Sequence, residues 1–456
     1  MTTETPAQSL VADLLELDDA VDAAFRNDTD TRLLNISSIP ELIQDTEAST
    51  WSSLFQQYAG ARDTEEFLWT GPTQMKRIME IIGKKTTSST VQVYLALQVA
   101  ADVLSLYFKS RSSAGSTQLE TRKTCLVAAC RVSSHACSYQ ISRFLGLPPI
   151  AEGDTQALYD AVINAFSKNR GLVSWIDNPR WASVVDMFRN TTVTLVHRLV
   201  RQLNNRSTKV YPNKIQSSDD FLDEYLTLIE AHKAASMAYP LPVDLAALAE
   251  RQMEGVLVLN EPLKSVVVSG ALLSAPVLYS ATMPREFNFG TMGAMLAREL
   301  AHVITPASSK DWWDRRSQEA FEESMKCLHG LHSTLEGSAS GWDVATASNL
   351  FAWTMAARTA MDALLSGEGS LGSQIEGEPS NSKWPETSRE ETRDAMRTFF
   401  RRFCLLSCGR DEPRLSARSR CVIPLVGMAE FSEAFDCPLG STMNPNASCA
   451  LRFRDS

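Results

Sequence analysis

Five consecutive residues, Arg298-Glu-Leu-Ala-His302, contain side chains that could do chemistry together. They follow the pattern H-E-x-x-H, except that arginine replaces the first histidine. On a helix, positions i and i+4 share one face, so two histidines there can bind one Zn²⁺ while the glutamate acts as general base on a metal-bound water. Glu299 and His302 are in place, but Arg298 is not a metal ligand. Taken alone, the pentapeptide favours an ordinary amphipathic core helix with a partly buried histidine.

The composition is that of an ordinary globular protein. The 456 residues are 44% hydrophobic and 21% charged, which allows two or three domains with a sizeable core. The net charge of -10 and the lack of basic runs argue against nucleic-acid binding. The longest uncharged stretch, residues 265–284, holds a glycine, four serines and two prolines, so it predicts a strand and a loop rather than a membrane span.

Targeting and modification signals point in different directions. The first residues, Met1-Thr-Thr-Glu-Thr-Pro, lack the basic and apolar regions of a signal peptide. Nine cysteines without a CxxC pair argue against a structural zinc site. Together with five N-x-S/T sequons they favour secretory-pathway ancestry, and the sequons lie at Asn27, Asn35, Asn190, Asn205 and Asn446.

Hydrophobic periodicity changes near residue 240. Before it, apolar residues at i, i+3, i+4 spacing predict helices at residues 10–25, 65–82, 91–108, 118–145, 155–166, 181–203 and 219–237. After it, two short strands are predicted at 256–259 and 265–268, and helices at about 290–302, 314–328, 343–365 and 392–406. Residues 366–390, rich in Ser, Gly, Glu and Pro, predict a surface loop. We therefore predict an all-helical domain over 1–240 and a smaller α+β domain over 241–456.

Several ordered segments outside the pentapeptide carry a family resemblance. They are Ser265-Val-Val-Val-Ser-Gly-Ala-Leu-Leu-Ser-Ala-Pro, Phe287-Asn-Phe-Gly with Met292-Gly-Ala-Met-Leu-Ala, Trp312-Trp313 with Cys327, Phe399-Phe400 with Phe403 and Cys408-Gly, and Glu430-Phe-Ser-Glu-Ala-Phe-Asp-Cys437 with Met443-Asn-Pro-Asn-Ala-Ser-Cys449. In this order they resemble the neprilysin-like zinc metalloendopeptidases, the family of neprilysin and the endothelin-converting enzymes. The first half resembles the family's helical lid more faintly, through Trp51, Arg122-Lys-Thr-Cys125 and Trp175-Ile-Asp, so the resemblance covers about residues 40–456.

The resemblance implies a zinc site of which one ligand remains. The family's first ligand falls on Arg298, which is permanently cationic and offers a metal no lone pair. The second ligand, His302, is kept, and the third, a glutamate on the next helix, falls on Gly341 or Trp342. Catalytic zinc uses three protein ligands and a water. We therefore expect zinc in the family but none bound here, with Glu299 left as a vestigial general base.

An alternative restores the metal site. A carboxylate or imidazole close in sequence to the third-ligand position could approach zinc if the helix shifted, and the candidates are His329, His332, Glu336 and Asp343. That arrangement predicts an active zinc metalloendopeptidase that cleaves peptides with rearranged ligands. It also requires Arg298 to move away from the metal, and we favour the interpretation that the four are exposed loop residues.

The substrate side of the family site is also altered. The edge-strand asparagine that holds the peptide backbone in the family has no counterpart before Asn260, and the family's transition-state histidine falls near Arg414. The arginine that receives the peptide carbonyl or carboxylate matches Arg420. The resemblance therefore assigns substrate binding to Arg420.

The resemblance also implies a disulfide between Cys327 and Cys449. The family counterparts of Cys125, Cys408 and Cys437 pair with cysteines in the early ectodomain, and this chain has no cysteine before Cys125. Either those three are free, or Cys408 and Cys437 have new partners such as Cys404 or Cys421. We expect an N-terminally shortened relative of a secreted enzyme.

Another cysteine pair is predicted not to bond. Cys130 and Cys137 are seven residues apart on one predicted helix, which separates them by about 10 Å. That distance is too long for a disulfide.

These observations together predict a mainly α fold with a small α+β part, in which a thermolysin-like catalytic half accompanies a helical, lid-like half. We predict a neprilysin-like metallopeptidase homologue that has lost zinc and catalysis, a pseudo-peptidase whose cleft can bind a peptide or protein. A decaying gene product without selected function is a third hypothesis. The resemblance implies an extracellular, disulfide-bonded glycoprotein, although we find no signal peptide or anchor. Neither nucleic acid nor a membrane span is expected, and the oligomeric state is not predicted.

Overall fold

The structure is a computed structural model that describes residues 6–26, 31–42, 47–59, 66–70, 72–85, 88–111, 126, 130, 137, 150–173, 175–196, 227–230, 255, 257–260, 264–280, 283–306, 314–337, 342–367, 389–408 and 415–446. The chain forms two compact units, residues 1–137 with 200–251 and residues 138–199 with 252–456. The second unit thus takes in a segment from the first half of the chain. The division into domains at residue 240 stays a prediction.

The first unit is helical with one added strand pair. Its elements are α1 (Pro6–Arg26), β1 (Thr31–Asn35), α2 (Ile39–Leu42), α3 (Ala48–Ala59), β2 (Glu66–Thr70), α4 (Pro72–Lys85) and α5 (Ser88–Arg111). β1 and β2 pair antiparallel, with Thr31 opposite Thr70. The predicted helix over 65–82 is therefore wrong at residues 66–70. The helix begins only at Pro72, because the fixed φ of proline suits the first helical position.

The second unit contains the pentapeptide. Its elements are α6 (Ile150–Lys168), α7 (Asn178–Arg189), β3 (Thr192–Leu195), β4 (Leu257–Asn260), β5 (Ser265–Val268), α8 (Arg285–Asn288), a π-helical turn (Phe289–Gly293), α9 (Ala294–Val303), α10 (Arg315–Glu336), α11 (Val344–Leu365), α12 (Arg389–Leu405), α13 (Ala417–Val422) and α14 (Ala429–Ala434). The fold class predicted from the sequence, mainly α with a small α+β part, is confirmed. None of the helices within the described ranges is long and apolar enough to cross a membrane.

A three-stranded sheet in the order β3-β5-β4 lies beside these helices. β5 pairs antiparallel with β4, which confirms the two predicted strands, and parallel with β3. The predicted helix over 181–203 is wrong at residues 190–195, because Asn190 ends α7 and a strand follows, while residues 197–203 lie outside the described residues. Thr192-Val-Thr follows as a strand because β-branched side chains suit a pleated sheet better than a helix. The first half of the chain is therefore not all-helical.

Helix α11 forms the centre of the core. Sixteen of its side chains are buried, so water reaches it on almost no face. The ring of Trp175 packs edge-on against Phe321 and Phe351, and its indole nitrogen donates a hydrogen bond to the carbonyl oxygen of Ile304 at 3.2 Å. This bond ties the end of α9 to the aromatic core.

The start of α9 is held by three residues that we call the α9 frame: Asn288, Gly290 and Phe399. The buried Asn288 side chain accepts a hydrogen bond from the amide nitrogen of Tyr279 at 2.8 Å and donates one to its carbonyl oxygen at 3.0 Å. A Cβ atom on Gly290 would lie 2.6 Å from the carbonyl oxygen of Phe399, so only glycine allows this approach to α12. The frame fixes where α9 begins.

Two disulfides are described in full. Cys130 bonds to Cys137 with their Cα atoms 5.0 Å apart, half the distance along one continuous helix, so the prediction that they cannot bond is wrong. Cys404 bonds to Cys421, while Cys408 and Cys437 are free. Cys327 is disulfide-bonded. Cys125 and Cys449 lie outside the described residues, so the pairing of Cys327 with Cys449 stays a prediction.

Candidate functional site

Helix α9 is apolar except for the three polar side chains of the pentapeptide. Leu296, Ala297, Leu300 and Ala301 are buried against the core. Arg298 and Glu299 keep 21% and 17% of their side-chain surface exposed, and His302 is partly buried. The predicted helix and its polar face are present.

The Arg298 side chain is engaged by its own helix and by α11. Its Nη1 lies 3.3 Å from Oε1 of Glu299, and its Nη2 donates a hydrogen bond to Oδ1 of Asn349 at 2.8 Å. Its guanidinium carbon lies 4.8 Å from the ring centroid of the buried Trp353, within the range of a cation–π contact. Asn349 and Trp353 are four residues apart on α11 and therefore share one face. Arg298 thus crosslinks α9 to α11.

Burial shifts both acid–base groups of the pentapeptide. It raises the pKa of Glu299 to about 7, although the nearby Arg298 charge acts in the opposite direction. Burial lowers the pKa of His302 to about 3, and repulsion from Arg298 lowers it further. At neutral pH the imidazole is therefore uncharged, while Glu299 is divided between its acid and its carboxylate.

An aromatic side chain occupies one of the two candidate positions for the third ligand. The Trp342 ring stacks on His329 with centroids 4.6 Å apart and is tilted against His332 at 5.3 Å. An indole N–H is a donor and cannot bind a metal. Gly341, the other candidate, lies outside the described residues and has no side-chain donor atom.

The expectation that the four replacement candidates are exposed loop residues is wrong, because His329, His332 and Glu336 lie in α10 and His332 is fully buried. The two carboxylates among them accept hydrogen bonds from nearby residues. Oδ1 of Asp343 accepts from the amide of Thr346 at 2.8 Å and from its hydroxyl at 2.7 Å, and so caps α11. Oε1 of Glu336 accepts from the amide of Ser416 at 3.0 Å. Burial alone would raise the pKa of Glu336, but hydrogen bonds from Ser416 and Ser419 bring it below its usual value.

Taken together, the residues at these positions do not fit a catalytic zinc ion. Of the three predicted ligand positions only His302 carries a metal-binding side chain, and a permanent cation stands at the first. Within the described ranges, no three His, Cys, Asp or Glu residues are gathered so that they could hold a metal.

On the predicted substrate side, strand β4 lies at the edge of the sheet. It pairs with β5 on one side, and no strand among the described residues pairs with its other side. Asn260 is buried at the end of β4, opposite Ser265. An unpaired strand edge can accept an extended peptide as an additional strand.

Arg420, the predicted substrate-binding residue, is buried in α13. Its side chain is only 2% exposed, and its Nη2 lies 3.4 Å from the carbonyl oxygen of Ser407. Arg414 lies outside the described residues. The substrate contact of Arg420 stays a prediction.

Sequence reasoning missed Asn349 and Trp353, which hold Arg298 through polar and aromatic contacts. Their i, i+4 spacing places them on one face of α11, and this was the available signal. It does not say which other helix the face contacts. That information required the packing of α9 on α11.

Comparison with known sequences gives a family assignment for the second half of the chain. The family model of Peptidase family M13 matches residues 260–451. Neprilysin-3 of Drosophila melanogaster is 25% identical over 212 residues, which cover 42% of this chain and 25% of that protein. Endothelin-converting enzyme 1 of Rattus norvegicus is 26% identical over 214 residues, which cover 41% of this chain and 26% of that protein. The chain therefore spans about a quarter of the length of these relatives.

Comparison with solved structures extends the similarity of fold to almost the whole chain. The structure of PepO from Lactobacillus rhamnosis HN001 superposes with a TM-score of 0.53 at 14% identity, covering 97% of this chain and 71% of that one. The Mycobacterium tuberculosis zinc metalloprotease Zmp1, solved in complex with an inhibitor, gives a TM-score of 0.52 at 14% identity, with 94% and 68% coverage. The family match over residues 260–451 and the sequence relatives support a neprilysin-like member of peptidase family M13, and the solved structures show the same mostly helical fold.

Proposed function

We propose that this chain is a pseudo-peptidase, a neprilysin-like protein that binds peptides without a catalytic zinc ion. The observation that carries the proposal is the position of Arg298. Its guanidinium is held at the first-ligand position of the helix by Asn349, Trp353 and Glu299. A rearranged metal site requires Arg298 to move away, and that movement would break these contacts.

Electrostatics support the same proposal. A guanidinium and a Zn²⁺ ion about 5 Å apart repel by on the order of 7 kcal/mol at an effective dielectric constant of about 20. One remaining imidazole, His302, does not offset that repulsion. Glu299 would then have no metal-bound water to activate, and its nearest charged partner is Arg298.

Peptide binding is supported by the edge strand rather than by the metal helix. β4 runs antiparallel to β5 and packs beside α9, so a peptide added to its other edge would lie close to the pentapeptide. Main-chain hydrogen bonds along such an edge supply affinity without requiring a metal.

Zinc content and peptide cleavage, measured on one preparation, test the proposal. After incubation with zinc and dialysis, we expect well under one zinc per chain. We also expect no cleavage of a broad peptide library above that of Glu299→Gln. The matched variant Arg298→His with Trp342→Glu, which restores two ligand types, is expected to retain more zinc than the natural chain. One zinc per chain, with cleavage that Glu299→Gln abolishes, would establish the rearranged-ligand enzyme instead.

Retention of peptides tests the binding half of the proposal. The immobilised chain is exposed to the same library, and the retained peptides are identified by mass spectrometry. We expect intact peptides to be retained and to be displaced by an excess of the free peptide. A chain that neither retains nor cuts any peptide contradicts peptide binding and favours a product without selected function.

A further inference from the structure

Three cysteines lie together where α12 meets α13. Cys404, in the last turn of α12, is disulfide-bonded to Cys421 of α13, with Cα atoms 4.7 Å apart. Cys408 follows Cys404 by four residues and is a free, exposed thiol. Its Sγ lies 3.8 Å from the carbonyl oxygen of Cys404. A free thiol therefore lies one turn away from a disulfide.

We propose that these residues form an internal thiol–disulfide exchange site, in which Cys408 and Cys421 compete for Cys404. The proposal involves none of the pentapeptide residues and does not depend on the proposed function. Both bonded cysteines are partly exposed, so the disulfide is open to attack.

The exchange needs no outside oxidant or reductant. The Cys408 thiolate forms a bond to Sγ of Cys404, the bond between Cys404 and Cys421 breaks, and Cys421 leaves as a thiolate that takes up the proton released by Cys408. One disulfide and one thiol are present before and after the step. Because the thiolate attacks, the exchange becomes faster as the pH rises.

The local backbone allows the new bond. Residues four apart on a helical turn have Cβ atoms about 5–6 Å apart. A disulfide requires about 3.5–4.5 Å, so the backbone must bring the two residues about 1–2 Å closer for the new bond to form. The chain leaves α12 through tight turns, in which the amides of Leu406, Ser407 and Cys408 each donate to the carbonyl three residues earlier. Backbone at a helix end adjusts more easily than backbone in the middle of a helix.

The exchange would release α13 from a covalent tie. Cys421 directly follows Arg420, whose guanidinium lies 3.4 Å from the carbonyl oxygen of Ser407, beside Cys408. With the bond to Cys421 broken, α13 is held by this contact, by the hydrogen bonds of Ser416 and Ser419 to Glu336, and by packing. We expect the amides of α13 to exchange with deuterium faster in the exchanged form.

Peptide mapping detects the step because trypsin places Cys404 and Cys408 on one peptide, residues 403–410, and Cys421 on another. The native chain is incubated without added thiol at pH 8, quenched with acid, alkylated and digested. We expect about a tenth or more of the chains to carry the disulfide within peptide 403–410 and an alkylated Cys421. A tenth corresponds to a free-energy difference of about 1.4 kcal/mol.

Two single variants locate the attacking group. Cys408→Ser is expected to leave Cys421 unalkylated, and Cys437→Ser, which removes the other free thiol, is expected to leave the exchange unchanged. Circular dichroism verifies that the variants are folded. The proposal is overturned if the natural chain shows only the bond between Cys404 and Cys421, if Cys421 is alkylated equally in Cys408→Ser, or if the exchange appears only as disulfide-linked dimers.

Discussion

The α9 frame and the predicted ligand positions, which lie on α9 and just before α11, meet different demands. At the frame, Asn288 hydrogen-bonds the backbone of Tyr279 and Gly290 lies against the backbone of α12, so each position depends on its residue type. At the ligand positions, Arg298 and Trp342 differ in type from the family ligands and still find partners in neighbouring side chains.

Under the proposed function, this difference explains how the fold tolerates replacement of the metal ligands. The frame and the aromatic core around Trp175 position α9 through buried backbone contacts, and none of these contacts involves a ligand side chain. Replacement of a ligand therefore changes the chemistry of the helix without removing what holds it. The predictions below test that separation, from the largest expected effect to the smallest.

Substitutions in the α9 frame should lower the stability of the folded chain more than substitutions at the predicted ligand positions. Gly290→Ala places a Cβ atom 2.6 Å from the carbonyl oxygen of Phe399 and 2.8 Å from Cβ of Arg402. We expect it to lower the free energy of unfolding by about 3 kcal/mol, because α12 must move to accept it. Urea unfolding measures the loss.

Gly330→Ala, within α10, is the matched control, since no atom lies within 4 Å of its added Cβ. We expect it to raise the free energy of unfolding by up to about 1 kcal/mol, because alanine suits a helix better than glycine. Equal effects of the two substitutions would show that the frame is not tightly packed.

Arg298→Ala tests how much the side chain at the predicted first-ligand position stabilises the fold. It removes the hydrogen bond to Asn349 and the contact with Trp353, and we expect a loss of about 2 kcal/mol in the free energy of unfolding. Thermal and urea unfolding measure it. The control Arg180→Ala removes an exposed ion pair with Asp314 and should change stability by no more than about 0.5 kcal/mol. If Arg298→Ala were as mild as the control, Arg298 would not crosslink α9 and α11.

Asp362, near the C-terminal end of α11, should make a small and pH-dependent contribution to the free energy of unfolding. Burial and the nearby Glu430 charge raise the pKa of Asp362, although its hydrogen bond with Asn169 acts in the opposite direction. The folded chain therefore binds this proton more tightly than the unfolded chain. The contribution of Asp362 to the free energy of unfolding consequently falls as the pH rises from about 4 through the raised pKa.

Asp362→Asn keeps an acceptor for Asn169 and removes the titration. We expect the variant to be more stable than the natural chain at pH 7 by about 0.5 kcal/mol, with the difference shrinking towards pH 4. Urea unfolding at both pH values checks this. A difference that grows towards acid would mean that the carboxylate is stabilised in the folded chain.

Local patterns in the sequence predicted the elements that carry the site. The apolar spacing of residues 290–302 predicted α9, and with it the shared helix of Glu299 and His302. The paired Val-rich segments predicted β4 and β5. The same reasoning failed at residues 66–70 and 192–195, where apolar and β-branched residues suit either a helix or a strand and the partner strand decided the outcome.

Among the cysteines, the sequence left several pairings open, and only the fold selected one. Cys404 and Cys421 bond because α12 and α13 meet there, and Cys130 bonds to Cys137 although one straight helix would have separated them. Disulfide pairing depends on Cα distances in three dimensions, and sequence spacing does not fix those distances when the chain between two cysteines bends.

The sequence by itself determined the chemical identity of the predicted ligand positions: an arginine cannot bind zinc in any fold, and an imidazole at His302 can. It also determined the helix that presents them, because helical periodicity is a local property. Only the tertiary structure decided that Arg298 contacts Asn349 and Trp353, that Glu336 accepts a hydrogen bond from Ser416, and that Cys404 bonds to Cys421 beside the free Cys408. Those facts join residues distant in sequence, and they follow from how the helices pack.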